Sequence, residues 1–279
     1  MRFSHSSLIV SIVCGLLLST LGQSGSRLSA PDVQPNQKET GKSRETENQR
    51  WNGFYFGSSS GELGSRAWFL LLDFGTHRGK LHMPPGNLEL THLEISQVGR
   101  ITFRSAKDIG DLIYQFEGHL QPNGIVGQFN LIRATPQGEK AFAMAPVVVE
   151  KLEFPSNSRL SRNVTGVYSN VEYNSEGGDL TGEELILFWN GKKLTAVFTS
   201  YEGDMTPYAT EDVALTGTNI EFRVLMQSGE ERYQGVFSRG RLKLRRTDVN
   251  VDPEASQMVL FKRKEIKDIF DKSKVSVRR

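Results

Sequence analysis

From Trp51 onward, apolar and polar residues alternate in short runs instead of recurring with the 3.6-residue period of a helix. Ile101-Thr102-Phe103-Arg104 and Ile220-Glu221-Phe222-Arg223-Val224 place every second side chain on one face, as a half-buried strand must. Residues 112–117 and 125–131 do the same, with Asn123-Gly124 between them. Asn190-Gly191 separates two further apolar runs, and Asn-Gly accepts the positive φ angles that a tight hairpin demands. The pattern predicts strands near 52–58, 67–74, 78–84, 88–96, 99–105, 112–120, 124–133 and 141–151. A second set falls near 164–173, 183–190, 193–201, 207–216, 218–226, 230–237, 240–247 and 257–263.

Short connections favour pairing between successive strands, hence an up-and-down meander. Eight twisted strands can close on themselves and so abolish exposed edges. The alternatives are one larger barrel or a sandwich built by both halves. Laid together, the halves match in order. Gly53-Phe54-Tyr55 parallels Gly166-Val167-Tyr168, and the apolar run 69–72 parallels 185–188. Ile101-Thr102-Phe103-Arg104 parallels Ile220-Glu221-Phe222-Arg223, and Tyr114 with Gly118 parallels Tyr233 with Gly235. The expectation is an all-β chain of two similar antiparallel barrel-like modules in tandem, 51–152 and 163–263, an internal repeat.

Trp51-Asn52-Gly53-Phe54-Tyr55 and Thr165-Gly166-Val167-Tyr168, each followed by about eight strands, resemble the starts of calycin modules, the lipocalin and avidin-type barrels. The resemblance spans both modules. It implies a closed barrel able to hold a small ligand. The lipocalin Gly-x-Trp order is absent from both starts, and no family site motif can be matched position by position.

Residues 1–30 change the compartment. One arginine near the start, an apolar run over 7–18 and small residues afterwards read as a cleavable secretory signal peptide, so the protein is expected to be secreted or periplasmic. The apolar run is shorter than the roughly 20 residues of a spanning helix. Residues 31–50 are polar and charged with few large apolar side chains, a disordered spacer by composition. The one cysteine, Cys14, lies in the leader, so stability must come from packing and not from disulfides. The net charge of +2 hides a basic tail: residues 262–279 carry about +5, leaving the rest slightly acidic. That balance argues against a nucleic-acid-binding body. In the segment 264–279, Ile266, Ile269 and Phe270 fall at helical spacing, a short basic helix that could touch a membrane surface.

Candidate chemistry is sparse. Gly57-Ser58-Ser59-Ser60-Gly61 satisfies the Gly-x-Ser-x-Gly pattern, but no helix follows, so it is expected to be a hairpin loop and not a nucleophile elbow. His77, His82, His92 and His119 all lie in the first module, and a hairpin turn could bring His82 towards His92. No metal-binding spacing accompanies them, and no metal or other cofactor is expected. The acids, among them Glu117, Glu230 and Glu231, sit beside turns and are expected on the surface. Asn163-Val164-Thr165 is a glycosylation sequon. Aromatics are more informative. Trp68, Trp189, Tyr114 and Tyr233 are the candidate lining of a ligand cavity, since Trp and Tyr join an apolar face to one polar atom. No catalytic residue can be named. The expected role is a non-enzymatic exported protein holding a small apolar ligand, or a structural or protein-interaction module of the cell envelope; a hydrolase or isomerase is the remaining alternative.

Overall fold

The computed structural model describes residues 49–61, 64–83, 86–108, 111–122, 124–152, 164–201, 205–247 and 256–270. The segment read as a signal peptide, most of that read as a spacer, Asn163 of the sequon and the tail beyond 270 lie outside them. Among the described residues, eighteen strands follow one another. In the first half these are β1 (Gly53–Gly61), β2 (Gly64–Asp73), β3 (Arg78–Met83), β4 (Gly86–Ile95), β5 (Arg100–Ser105), β6 (Leu112–Gln121), β7 (Gly124–Thr135) and β8 (Gly138–Lys151). In the second they are β9 (Gly166–Ser169), β10 (Glu172–Asn174), β11 (Asp179–Thr181), β12 (Glu183–Trp189), β13 (Leu194–Ser200), β14 (Pro207–Thr216), β15 (Asn219–Met226), β16 (Gly229–Ser238), β17 (Arg241–Arg246) and β18 (Gln257–Lys264). One 3-10 turn, Ile266–Asp268, ends the described chain. Among the described residues, no helix is long and apolar enough to cross a membrane.

Each of the first seven strands pairs antiparallel with the next, and β8 returns to β1 through Tyr55↔Lys151 to Ser58↔Val148. The result is a closed eight-stranded barrel. Strands β9 and β12 to β18 close likewise, through Phe261↔Ser169 and Lys262↔Tyr168. Closure leaves neither ring with a free sheet edge. β2 extends beyond the last residue pair it forms with β3, Phe69↔His82. There β14 joins it at Tyr208↔Arg66, so both rings belong to one sixteen-stranded sheet.

Two-residue alternation explains the burial. On β2, Trp68, Leu70 and Leu72 enter the first core, whereas Ala67 and Phe69 face outward. The rings share a pattern of contacts. The Tyr55 hydroxyl donates to Trp51 O at 2.5 Å, and the Tyr168 hydroxyl donates to Val164 O at 2.8 Å. Gly53 and Gly166, at φ +151° and +144°, each lie beneath a lysine stem, Lys151 and Lys262 respectively. Phe103 stacks on Phe116 at 4.9 Å, as Phe222 does on Tyr233 at 5.2 Å. Strand register therefore places Tyr233 opposite Phe116, not Tyr114, in the comparison of the two rings.

The outer faces of β1 and β2 meet those of β9, β12 and β13 in an apolar seam. Phe188 sits against Phe56 at 4.9 Å and Phe69 at 5.2 Å. The 3-10 turn brings Ile266, Ile269 and Phe270 into the same cluster, with Phe270 5.2 Å from Phe54. Two expectations from sequence need correction. Gly57–Gly61 is not a loop but the end of β1, paired with β2 as far as Gly61↔Gly64. The backbone ladder supports small residues there because Trp68, opposite Gly57, fills the interior. The run 164–173 is interrupted: β9 ends at Ser169, and the chain leaves the ring as a β10–β11 hairpin before β12.

Candidate functional site

The four aromatic residues singled out from sequence do not form one lining. Trp189 ends β12, packs partly buried against the second core, and lies at the other end of its ring from Tyr233 and Glu231. Tyr233 is in that same ring, stacked between Phe222 and Phe198. Trp68 and Tyr114 do come together in the first ring, because both flank Phe129: Trp68 stacks on it at 4.6 Å and Tyr114 lies 5.9 Å away.

Around that pair the first ring has a polar mouth. Arg66 shares the inner face of β2 with Trp68, two residues on. The Tyr114 hydroxyl donates to Asp108 at 3.0 Å, and the Tyr114 amide donates to the Ser105 hydroxyl at 3.0 Å. Burial is the main reason the Tyr114 phenol is raised above its ordinary range; Asp108 adds to the rise and the nearby Arg66 charge opposes it. Trp68 is only 4% exposed, yet its indole N–H has no hydrogen-bond partner, and neither has the buried Arg66 Nε, among the described residues. Burying an N–H without an acceptor costs on the order of 1–3 kcal/mol. These two unpartnered donors lie two residues apart on one face of β2.

The same layer of the second ring is chemically different. From the matched pairs Tyr55↔Leu70 and Tyr168↔Leu185, Trp68 corresponds to Glu183. From the ladders through Phe116 and Tyr233, Phe129 corresponds to Arg246 and Tyr114 to Glu231. Glu231, 9% exposed, accepts from the Tyr233 hydroxyl at 2.6 Å and pairs with Arg246 at 2.7 Å. Burial first, and Glu231 next, lift the Tyr233 phenol above its usual range. Where the first ring leaves donors unpaired, the second answers its buried carboxylate from within.

Glu231 was expected on the surface and is not. The available signal was its two-residue spacing from Tyr233, which puts both on one face; Arg66 carries the same signal relative to Trp68. Glu117 and Glu230 do lie at the surface, paired with Arg100 and with Arg223 and Arg232. The histidines scatter. His82 faces the seam, buried, with Nδ1 2.7 Å from Asn87 Oδ1, while His92 is exposed and 3.6 Å from Glu94. The register pairs His82 with Asn87, leaving His92 five residues further along β4. Among the described residues, no group of three or more His, Cys, Asp or Glu could hold a metal ion.

Fold and site together define a pair of closed, antiparallel eight-stranded barrels, one with an aromatic inner mouth and one with a charged inner mouth. Comparison with protein-family models, with curated proteins and with solved structures finds no match.

Proposed function

We propose that this is an exported, non-enzymatic binding protein whose first ring takes a small ligand at the mouth formed by Arg66, Trp68 and Tyr114. The observation that carries this reading is the pair of buried, unpartnered donors, Trp68 Nε1 and Arg66 Nε, beside an aromatic wall. An apolar or aromatic body would stack on the Trp68–Phe129 wall, and an acceptor head, best an anion, would meet the two N–H groups. The second ring, whose Glu231 is internally paired, is the rigid companion in this reading. The composition of residues 1–30 supports export through a cleaved leader, to the periplasm or outside the cell. The shared tyrosine, glycine and lysine contacts support an internal duplication of a calycin-like, lipocalin-type module.

A test uses 8-anilinonaphthalene-1-sulfonate, which combines an aromatic body with an anionic head. The folded protein should enhance its fluorescence saturably, and Arg66→Ala should weaken binding roughly ten- to a hundredfold, the loss of a hydrogen bond to a charged group. Absence of saturable binding, or binding indifferent to Arg66→Ala and Trp68→Phe alike, would overturn the reading. A second reading, a protein-interaction module of the envelope, draws on the exposed Val126 and Val148, paired across β7 and β8 on the outer wall of the first ring.

A further inference from the structure

We infer that the outer wall of β16, β17 and β18 is a docking face for an anionic lipid bilayer. Alternation sends Leu242 and Leu244 into the second core and turns Arg241, Lys243 and Arg245 outward along β17. In an extended strand these three cations stand roughly 7 Å apart. On β18, Phe261 lies directly opposite Arg241, and Arg263 follows two residues on. Arg239, held at φ +46° in the turn before β17, adds a further cation at the rim.

The face gathers uncompensated charges on adjacent strands. Several cations elsewhere on these rings meet acids: Arg100 pairs with Glu117, and Arg223 with Glu211 and Glu230. Arg239, Arg241, Lys243, Arg245 and Arg263 have no carboxylate within ion-pairing distance among the described residues. Arg245 instead donates to Gln234 Oε1 at 3.1 Å, and Arg263 donates to Ser169 O at 3.1 Å. In a chain of net charge +2, four such cations on one wall, with Arg239 in the turn at its rim, are a concentrated positive field. Guanidinium groups suit phosphate because their planar donors meet its oxygens two at a time.

Shape and apolar content select the occupant. The wall of a closed ring is convex, so it meets a plane, whereas single-stranded nucleic acid is held in a charged groove with open aromatic platforms. Phe261 offers no such platform, since the Arg241 and Arg263 guanidinium groups already lie over its ring at 5.4 and 5.5 Å. Val236, 46% exposed, pairs with Lys243 across the ladder. Cations framing an exposed apolar residue match the interface of a bilayer, where phosphates lie above acyl chains. This face is separate from the inner mouth of the first ring.

The test is flotation of the full chain with vesicles of phosphatidylcholine, with and without phosphatidylglycerol. The protein should float only with phosphatidylglycerol present and lose binding as salt is raised. Lys243→Gln with Arg245→Gln removes two exposed cations without touching the core, and should weaken binding roughly thirtyfold while leaving the unfolding midpoint unchanged. Failure to float with anionic vesicles would overturn the inference. So would undiminished binding by the double variant, or tighter binding to a single-stranded oligonucleotide than to the vesicles.

Discussion

Trp68 occupies the interior of the first ring because Gly57 makes room for it: a β-carbon at residue 57 would overlap the indole ring. A stiff, buried indole stacked on Phe129 cannot step aside at low cost. Gly57→Ala should therefore lower stability by about 1–3 kcal/mol, read as a reduced urea midpoint with an unchanged slope. A midpoint equal to that of the original protein would show that the indole relaxes freely. At this scale the sequence was only partly informative. Trp68 and Tyr114 were singled out from sequence, and the structure joins them through Phe129. Arg66 went unremarked and Glu231 was placed at the surface because a charged residue beside a turn reads as solvated until the register of its neighbours is known.

Strands and turns were the most legible elements, since alternation and Asn-Gly are local signals. The segment after β18 is different. Ile266, Ile269 and Phe270 suggested one face of a short helix; the chain instead makes a single 3-10 turn and inserts these side chains between the rings. Asn87 Nδ2 donates to Ile269 O at 3.2 Å, tying this turn to the first ring. Phe270, wedged against Phe54 and near His82, behaves as a core residue although it closes the described chain. Phe270→Ala should cost about 3–5 kcal/mol, the usual loss for a buried aromatic, measured by thermal or urea unfolding. A change under about 0.5 kcal/mol, typical of a surface site, would mean that the turn only rests on the seam.

Across the whole molecule, two titratable groups beside the seam, buried His82 and half-buried Glu184, have opposite tendencies. Burial pushes His82 down to about 4, against its Asn87 hydrogen bond, and the Lys264 charge lowers it further. Burial lifts Glu184 to about 7, with Lys264 pulling the other way, and Tyr201 beside it is raised above the phenol range by burial and by Glu184. The folded value of Glu184 lies above the ordinary 4.5, so its share of stability is complete below that pH and is lost as pH rises through 7. The folded value of His82 lies below the ordinary 6.5, so its share is complete above that pH and is lost as pH falls through 4. Between the ordinary values of 4.5 and 6.5 the two slopes oppose each other. Urea midpoints measured across that window should be nearly flat for the original protein. Glu184→Gln should leave stability rising with pH, and His82→Gln should leave it falling. Parallel profiles for all three proteins would refute this coupling through the seam.

The amino-acid sequence by itself determined the class of strand and the hairpin order, because alternation, turn residues and short connections act between near neighbours. Tertiary structure alone decided three things: that each meander closes, that the rings meet through Phe56, Phe69 and Phe188, and that one inner mouth is aromatic while the other is ionic. Each depends on residues far apart in the chain becoming neighbours. A strand pattern states which side chains share a face, and only closure states what they face.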